Sequence, residues 1–274
     1  MAEFQEQVMG LTGLTIDNSS TNPSRAEFTT FLTDGAKEII NILPKKLKEK
    51  CITETILSNS PTSMDVDGFG DITSVVRRNS DSGYWISCRK VSKEYSSSAT
   101  DSTSLHYATE TDPVYYIQSQ SDAVALFVKP TPTANQTAFV YHISYPSVAY
   151  NNSTIANFPD EAEYLVTLYA AIKSLQSTMG AMNASIVHSD QDGTYSASSS
   201  SSQGWEKVRD WLETEEDSEM SASTMQALSS EMQQFAVEYQ WYQAQQLKLQ
   251  QDYDKGIQML VGGGIPKPTK EGSK

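Results

Sequence analysis

The sequence predicts an α+β fold: a helical bundle with a β-rich insertion between the first and second main helices, and a long C-terminal helix. Three observations predict it. Apolar residues recur with helical spacing before residue 50 and again after residue 160. Short β-like runs separated by turn-forming residues fill the part between them. After a serine-rich stretch, apolar and aromatic residues recur at alternating spacings of three and four from Met225 to Leu260.

The first main helix lies in an N-terminal helical segment, residues 1–50. Ser24 followed by Glu27 resembles a capping box, and Asn22 before Pro23 is an equally good N-cap. Pro44 ends or kinks the helix. The lysines that follow are either a solvated helix end or a contact to an acidic neighbour. The predicted buried stripe consists of Phe28, Phe31, Leu32, Ile39, Ile40 and Leu43, of which Phe28, Phe31 and Ile39 are candidate helix-packing residues.

The β-rich insertion, residues 51–150, is predicted to form a small antiparallel sheet. Its predicted strands are Cys51–Leu57, Asp71–Arg77, Tyr84–Val91, Val114–Ser119, Ala123–Lys129 and Gln136–Tyr145. The strands around Tyr116 and Phe127 predict a hairpin. In the last strand, alternation places Phe139, Tyr141, Ile143 and Tyr145 on one face and Ala138, Val140, His142 and Ser144 on the other.

The second main helix completes the helical body, residues 151–188. Pro159 suits a first helical turn, and the acidic residues after it suit the helix dipole. Ala170 and Ala171 are small enough to let a neighbouring helix come close. The packing stripe consists of Leu165, Leu168, Ile172 and Leu175, which we expect to lie on the helix from Phe28 to Leu43.

The C-terminal part begins with a serine-rich linker, residues 189–204, whose composition cannot form a core. Residues 205–261 are predicted helical: a short amphipathic helix at Gly204–Leu212, an acidic run, and then the long helix. The stripe of the long helix is aromatic and partly polar, which favours packing on another helix or a neighbouring subunit over a free coiled coil. The candidate interface residues are Phe235, Tyr239 and Tyr242. Residues 262–274 are a predicted flexible, basic tail.

The net charge of −14 argues against a nucleic-acid-binding protein, which needs a basic face to offset phosphates. Cys51 and Cys88 lack metal-ligand spacing and are expected to be buried apolar residues. No apolar run is long enough for a membrane span, and the acidic N-terminus does not resemble a signal peptide. These features predict a protein that is made and kept in a reducing cytosol, or in something assembled there.

The sequence contains no recognisable catalytic, cofactor-binding or metal-binding motif. His106, His142 and His188 lack partners at metal-ligand spacing, and His142 is expected to be a structural or surface residue. Asp65–Asp71 departs from the order of a calcium loop and predicts a tight turn instead. Nucleophile elbows and phosphate loops are absent from the sequence. The sequence therefore predicts that the protein is not an enzyme and needs no cofactor.

The order of segments resembles the head-to-tail connector (adaptor, or tail tubular A-like) proteins of tailed bacteriophages, over roughly residues 20–180. The resemblance rests on the helix Ala26–Leu43, then Asp112–Ile117 and Leu126–Pro132, then Phe139–Pro146, and last Ile155–Glu161 leading into the second helix. It implies a structural virion protein of the phage neck, assembled in the host cytoplasm. Twelve copies would form a ring between the portal and the tail tube, nozzle or fibre proteins.

The same resemblance implies that genomic DNA passes through the ring during ejection without sequence-specific contacts. It also implies that the C-terminal tail grips the portal, with Ile265, Pro266, Lys267 and Pro268 as docking residues. Two alternatives stay open: another phage structural protein, such as a tail tube, fibre or head-decoration protein, and a small hydrolase-like enzyme. The first would show threefold or sixfold symmetry, and the second needs acidic side chains that converge in space.

Overall fold

The computed structural model describes residues 2–57, 63–79, 83–120, 123–191, 211 and 218–262. The helices are α1 (Phe4–Thr12), α2 (Arg25–Ile42), α3 (Lys45–Lys48), α4 (Asp160–Gln191) and α5 (Ser218–Gly262). The strands are β1 (Ile52–Leu57), β2 (Ser63–Asp65), β3 (Ile72–Arg78), β4 (Trp85–Ser87), β5 (Arg89–Lys90), β6 (Val114–Gln120), β7 (Ala123–Lys129) and β8 (Ala138–Ile143).

The predicted fold class, a helical bundle that carries a β-rich insertion, is wrong. The chain is mixed α/β, with two sheets of four strands each between residues 52 and 143 and the longest helices at the C-terminal end. The strands build a hydrophobic core of their own, so they are not an appendage to a helical body. Hydrophobic periodicity predicted the type of most elements, but it does not reveal which elements share a core.

The chain divides into two compact units. The helical unit consists of Met1–Gly35, Val148–Thr154 and Tyr164–Lys274, and the sheet unit consists of Ala36–Ser147 and Ile155–Glu163. The division cuts α2 and α4, so neither of the two main predicted helices belongs wholly to a helical body. None of the described helices combines the length and the apolar character that crossing a membrane requires.

The sheet unit holds both sheets. One sheet has the order β1-β8-β3-β4 and the other the order β2-β7-β6-β5. The predicted hairpin is confirmed, because β6 and β7 pair antiparallel with Tyr116 opposite Phe127. The single predicted strand Tyr84–Val91 is wrong: it breaks at Cys88 into β4 and β5, which join different sheets. The short strand β2, which pairs with β7, was not predicted.

The core of the sheet unit is built from alternating strand residues. In β8, Ala138, Val140 and His142 are buried and Phe139 and Tyr141 are partly exposed, which fits the predicted alternation. Ile143, which was predicted on the same face as Phe139, is buried as well. The core consists of Leu57, Met64, Val66, Val75, Cys88, Tyr115, Leu126, Val128, Ala138 and Val140. Both sheets contribute to it, so burial of apolar surface between them is what stabilises this unit.

The ends of the helices follow local sequence signals. Ser24 and Glu27 form the predicted capping box: the Ser24 N–H donates to Glu27 Oε2 (2.9 Å), and the Glu27 N–H donates to Ser24 Oγ (3.3 Å). Among the lysines after α2, Lys50 forms an ion pair with Glu161 at 3.0 Å. Both side chains are about half exposed, so water and salt screen the pair and it adds little to stability.

Glycines mark the closest helix contacts of the helical unit. A Cβ atom on Gly35 of α2 would lie 2.8 Å from Tyr169 Cδ1 of α4. A Cβ atom on Gly256 of α5 would overlap Leu165 of α4, and the rings of Tyr169 and Tyr253 are 6.2 Å apart. Helix α4 therefore contacts α2 and α5 within this unit, and the missing side chains allow those close approaches.

Candidate interaction surfaces

The predicted packing stripe of α4 is buried. Leu165, Leu168, Ile172 and Leu175 are each at most 5% exposed, and Ala170 and Ala171 are fully buried. Of the candidate residues in α2, Phe28 and Ile39 are buried and Phe31 is partly exposed. The structure brings α2 and α4 together at Gly35 and Tyr169. That Phe28, Phe31 and Ile39 carry the contact to the α4 stripe stays a prediction.

The candidate interface residues of α5 lie where the helix passes from exposed to partly buried positions. Phe235 is exposed, whereas Tyr239 and Tyr242 are partly buried. The Tyr242 hydroxyl donates to Glu238 one turn earlier (3.1 Å), and its ring contacts that of Trp241. Their role at a subunit interface stays a prediction. The proposed docking residues 265–268, the serine-rich stretch from residue 192 onward and all but Trp211 of the short amphipathic helix lie outside the described residues.

The C-terminal half of α5 is anchored to the helical unit. Gln245 Nε2 donates to the carbonyl of Leu11 just beyond the middle of the helix (2.7 Å). Further along, Leu249 and Tyr253 are buried, and Gly256 lies against Leu165. The stripe residues Leu249, Tyr253 and Gly256 on this half of α5 are therefore packed against the helical unit.

The described residues in the middle of the same helix are exposed. Every residue from 222 to 238 whose burial the structure describes is exposed. Large apolar side chains are among them: Met225, Met232, Phe235 and Val237. An isolated helix this exposed gains little from its own hydrogen bonds in water, so such a face is typical of a segment that meets a partner.

A shallow, open hollow lies on another side of α5. The described residues that line it are Ser230, Gln233, Gln234, Val237, Glu238, Trp241 and Tyr242. Trp241 is nine residues from Met232, which corresponds to about two and a half turns, so the hollow and the Met232 side point in opposite directions. Among these described residues Glu238 is the one acid and none is a histidine or a cysteine.

Within the described part of the chain, no group of three or more histidine, cysteine or acidic side chains is placed to hold a metal ion. Asp65 Oδ1 accepts the N–H of Asp67 and so closes the predicted turn before β3 (2.9 Å). Burial raises the pKa of both thiols, and that of Cys88 reaches about 12, so neither is a reactive nucleophile.

His142 is a structural residue of the sheet unit. Its ring stacks on that of Phe69 with centroids 3.5 Å apart. Its Nδ1 donates to the Ile143 carbonyl (3.1 Å), because a carbonyl can only accept, and its Nε2 lies 3.0 Å from the Thr55 hydroxyl. Both ring nitrogens therefore have partners inside the fold. Of the two predicted roles, structural or surface, its burial supports the structural one.

Arg77 is the functional-looking residue that sequence reasoning missed. Its guanidinium is buried, and it donates to the Pro130 carbonyl (3.0 Å) and to Gln136 Oε1 (2.8 Å). Burial lowers the pKa of Arg77, and the charge of Glu110 opposes that shift. The signal was present in the alternation of β3, where Arg77 shares the inward face with Val75. The hydrogen bonds of Arg77 hold two loops in place. Arg77 does not line either of the two pockets found among the described residues.

The sequence matches no protein-family model, and no curated protein is significantly similar to it. Its function therefore has to be inferred from the order of its segments and the surfaces described above.

Proposed function

We propose that this protein is a structural component of a phage virion: a head-to-tail adaptor that forms a ring between the portal and the tail around the DNA channel. Its partners would be further copies of the chain, the portal above, and a tail tube, nozzle or fibre protein below. The order of segments supports this proposal.

The observation that carries the proposal is that α5 is anchored in its C-terminal half, whereas its described residues from 222 to 238 are exposed. Contacts to Leu11 and Leu165 hold the C-terminal half, while Met225, Met232 and Phe235 stay exposed on the other half. A domain that works alone gains nothing from exposing such a helix, because the apolar area would stabilise the fold only if it were covered. A subunit of an assembly covers it on binding.

The charge of the chain suits a conduit for DNA. The sequence carries a net charge of −14, and negative charge repels phosphates at short range. DNA would therefore pass a wall of this composition without adhering to it. A basic wall would bind the backbone non-specifically and slow its passage.

The proposal is tested by electron microscopy and native mass spectrometry of the full chain, alone and mixed with the portal protein of the same phage. We expect a ring of twelvefold symmetry docked on the portal. A threefold or sixfold particle would favour a fibre, tube or decoration protein instead. A chain that stays monomeric and ignores the portal would contradict an adaptor role.

A further inference from the structure

Strand β1 is one edge of the sheet with the order β1-β8-β3-β4, and among the described strands of that sheet it pairs with β8 alone. Just before this pairing begins, the Ser144 N–H donates to the Cys51 carbonyl (3.1 Å). In an antiparallel pair, residues that bond to the neighbouring strand alternate with residues whose N–H and C=O groups point away from it. Glu54 and Ile56 therefore turn their backbone groups to the free edge. Both are exposed, Ile56 by 57%, whereas Ile52, the preceding outward residue, is partly buried.

Strand β4 is the opposite edge of the same sheet and pairs with β3. Just after β4, the Cys88 N–H donates to the Val75 carbonyl (2.7 Å), so the same alternation turns the backbone groups of Trp85 and Ser87 away from β3. Both residues are exposed, and the Trp85 ring, 45% exposed, lies on that of Phe139 with centroids 4.6 Å apart. Each edge thus presents two exposed outward residues, and the backbone hydrogen bonds found outside the strands among the described residues do not use their outward groups.

We propose that two copies of this chain join at these edges, with β1 of one copy pairing antiparallel with β4 of the next. Three antiparallel steps separate β1 from β4 within the sheet, so the two edge strands run in opposite directions. The next copy can therefore extend the sheet without being turned over, and the core-facing sides of both copies lie on the same face. This inference rests on the proposed function in one respect, because a ring needs such a head-to-tail contact between its copies.

The side chains of the two edges are complementary. Pairing Trp85 with Ile56 of the next copy places Ser87 opposite Glu54 of that copy, and all four side chains then lie on the outer face of the joined sheet. The exposed indole and the exposed β-branched side chain would cover each other, and such aromatic pairs across strands stabilise a sheet. The charges match as well. Glu54 gives the β1 edge a carboxylate, and Arg78, exposed and directly opposite Trp85 in β3, gives the other edge a guanidinium.

A two-fold pairing of β1 with β1 of another copy fits less well. Its exposed residues would pair with each Glu54 opposite Ile56 of the other copy, which brings two carboxylates to neighbouring positions on one face. It would also leave Trp85 uncovered. A contact of two residue pairs is weak by itself, and a closed ring strengthens it because each copy is held at both edges.

The test mixes two variants of the full chain that each carry one added cysteine, Glu54→Cys and Ser87→Cys, and that differ in mass through an N-terminal tag. A short bismaleimide joins cysteines that lie opposite each other, and mass spectrometry identifies the joined chains. We expect mixed dimers at least about tenfold above the dimers of either variant alone, because the pairing places these two positions opposite each other. The parent chain is the blank, since Cys51 and Cys88 are buried and burial raises the pKa of both thiols.

Two controls separate pairing from random collision. Leu105 is 98% exposed on the loop before β6, so Leu105→Cys in place of Ser87→Cys should give mixed dimers at background level. Ile56→Pro, added to the Glu54→Cys chain, removes an N–H that points to the free edge, so the sheet should fold while the mixed dimers fall by about tenfold. Thr55→Pro, one residue earlier, removes an N–H that bonds to β8 and should lower the unfolding midpoint instead.

Three results would overturn the inference. The first is a yield of mixed dimers no higher than that with Leu105→Cys. The second is crosslinking of Glu54→Cys to itself as strong as in the mixture, because β1 would then pair with β1. The third is a folded Ile56→Pro chain that crosslinks as well as its parent. A ring on the portal without this crosslink would reject this contact alone, and the crosslink without docking on the portal would reject the adaptor role alone.

Discussion

Arg77 and Glu110 are joined through one amide side chain, that of Gln136. Gln136 Oε1 accepts from Arg77 Nη2 (2.8 Å), and Gln136 Nε2 donates to Glu110 Oε1 (3.0 Å). The network connects β3 to two loops that are distant in sequence. A buried guanidinium that loses an acceptor costs more than an exposed one, because water cannot replace the lost bond.

We therefore expect Gln136→Leu to lower the free energy of unfolding by about 1–3 kcal/mol. The neighbouring variant Asn135→Ala, at an exposed position, is the control and should change it by less than about 0.5 kcal/mol. Urea denaturation followed by circular dichroism measures both. Equal stability of the two variants would show that the hydrogen bonds of Gln136 to Arg77 and Glu110 do not add to the free energy of unfolding.

Glycine-to-alanine substitutions at and near α4 should have opposite effects on stability, depending on the space around each glycine. Gly35→Ala would place its Cβ 2.8 Å from Tyr169 Cδ1 and 3.3 Å from Tyr169 Cβ, where the tyrosine has little room to move. We expect a loss of about 1–3 kcal/mol, even though alanine is the better helix former. The loss should appear as a lower thermal midpoint.

Gly180→Ala is the matched control in α4 itself. Nothing lies within 4 Å of the added Cβ, so this variant should gain up to about 1 kcal/mol from helix propensity alone. Gly256→Ala should fall between the two, because the nearest atom it meets is the end of the flexible Leu165 side chain. If Gly35→Ala were as stabilising as Gly180→Ala, the close approach of α2 and α4 would be disproved.

The buried thiol of Cys88 predicts a loss of stability at high pH. Burial raises the pKa of this thiol to about 12, whereas in the unfolded chain it is about 8.5. Below about pH 8.5 the Cys88 thiol is protonated in both the folded and the unfolded chain, so it does not change the free energy of unfolding with pH. Above it the unfolded state releases a proton that the folded state keeps, so the free energy of unfolding falls by up to about 1.4 kcal/mol per pH unit.

The measurement compares the parent chain with Cys88→Ala between about pH 8.5 and 9.5, below the ordinary tyrosine pKa of about 10. The variant loses stability at every pH because of the smaller side chain, so the informative quantity is the slope with pH, which should become shallower. An unchanged slope would contradict the burial of this thiol. In the native state, both cysteines should also resist thiol reagents until denaturant is added.

Deletion of the C-terminal tail should weaken docking to the portal without affecting folding. Under the adaptor proposal, deleting Gly262–Lys274 removes the docking residues Ile265–Pro268 together with the positive charges of Lys267, Lys270 and Lys274. We expect weaker binding to the portal, measured by co-sedimentation, and an unchanged unfolding midpoint. A truncated chain that binds the portal with equal affinity would refute the role of the tail.

Much of the local structure could be predicted from the sequence. The capping box at Ser24 and Glu27, the hairpin of β6 and β7, and the buried faces of β8 and α4 depend on residues close together in the chain. Periodicity and turn chemistry are sufficient for such features. The start of α4 at Asp160 followed in the same way from the proline and the acidic residues there.

The tertiary structure alone decided which elements share a core and which surfaces stay uncovered. The break at Cys88 that sends β4 and β5 to different sheets, the burial of Arg77 and the contact of Gly35 with Tyr169 all join residues far apart in sequence. The heptad pattern of α5 is the same along its length, so it could not show that Leu249 and Tyr253 are buried whereas Met225, Met232 and Phe235 are exposed. Local propensity depends on neighbours in the chain, whereas burial depends on neighbours in space, and only the fold supplies those.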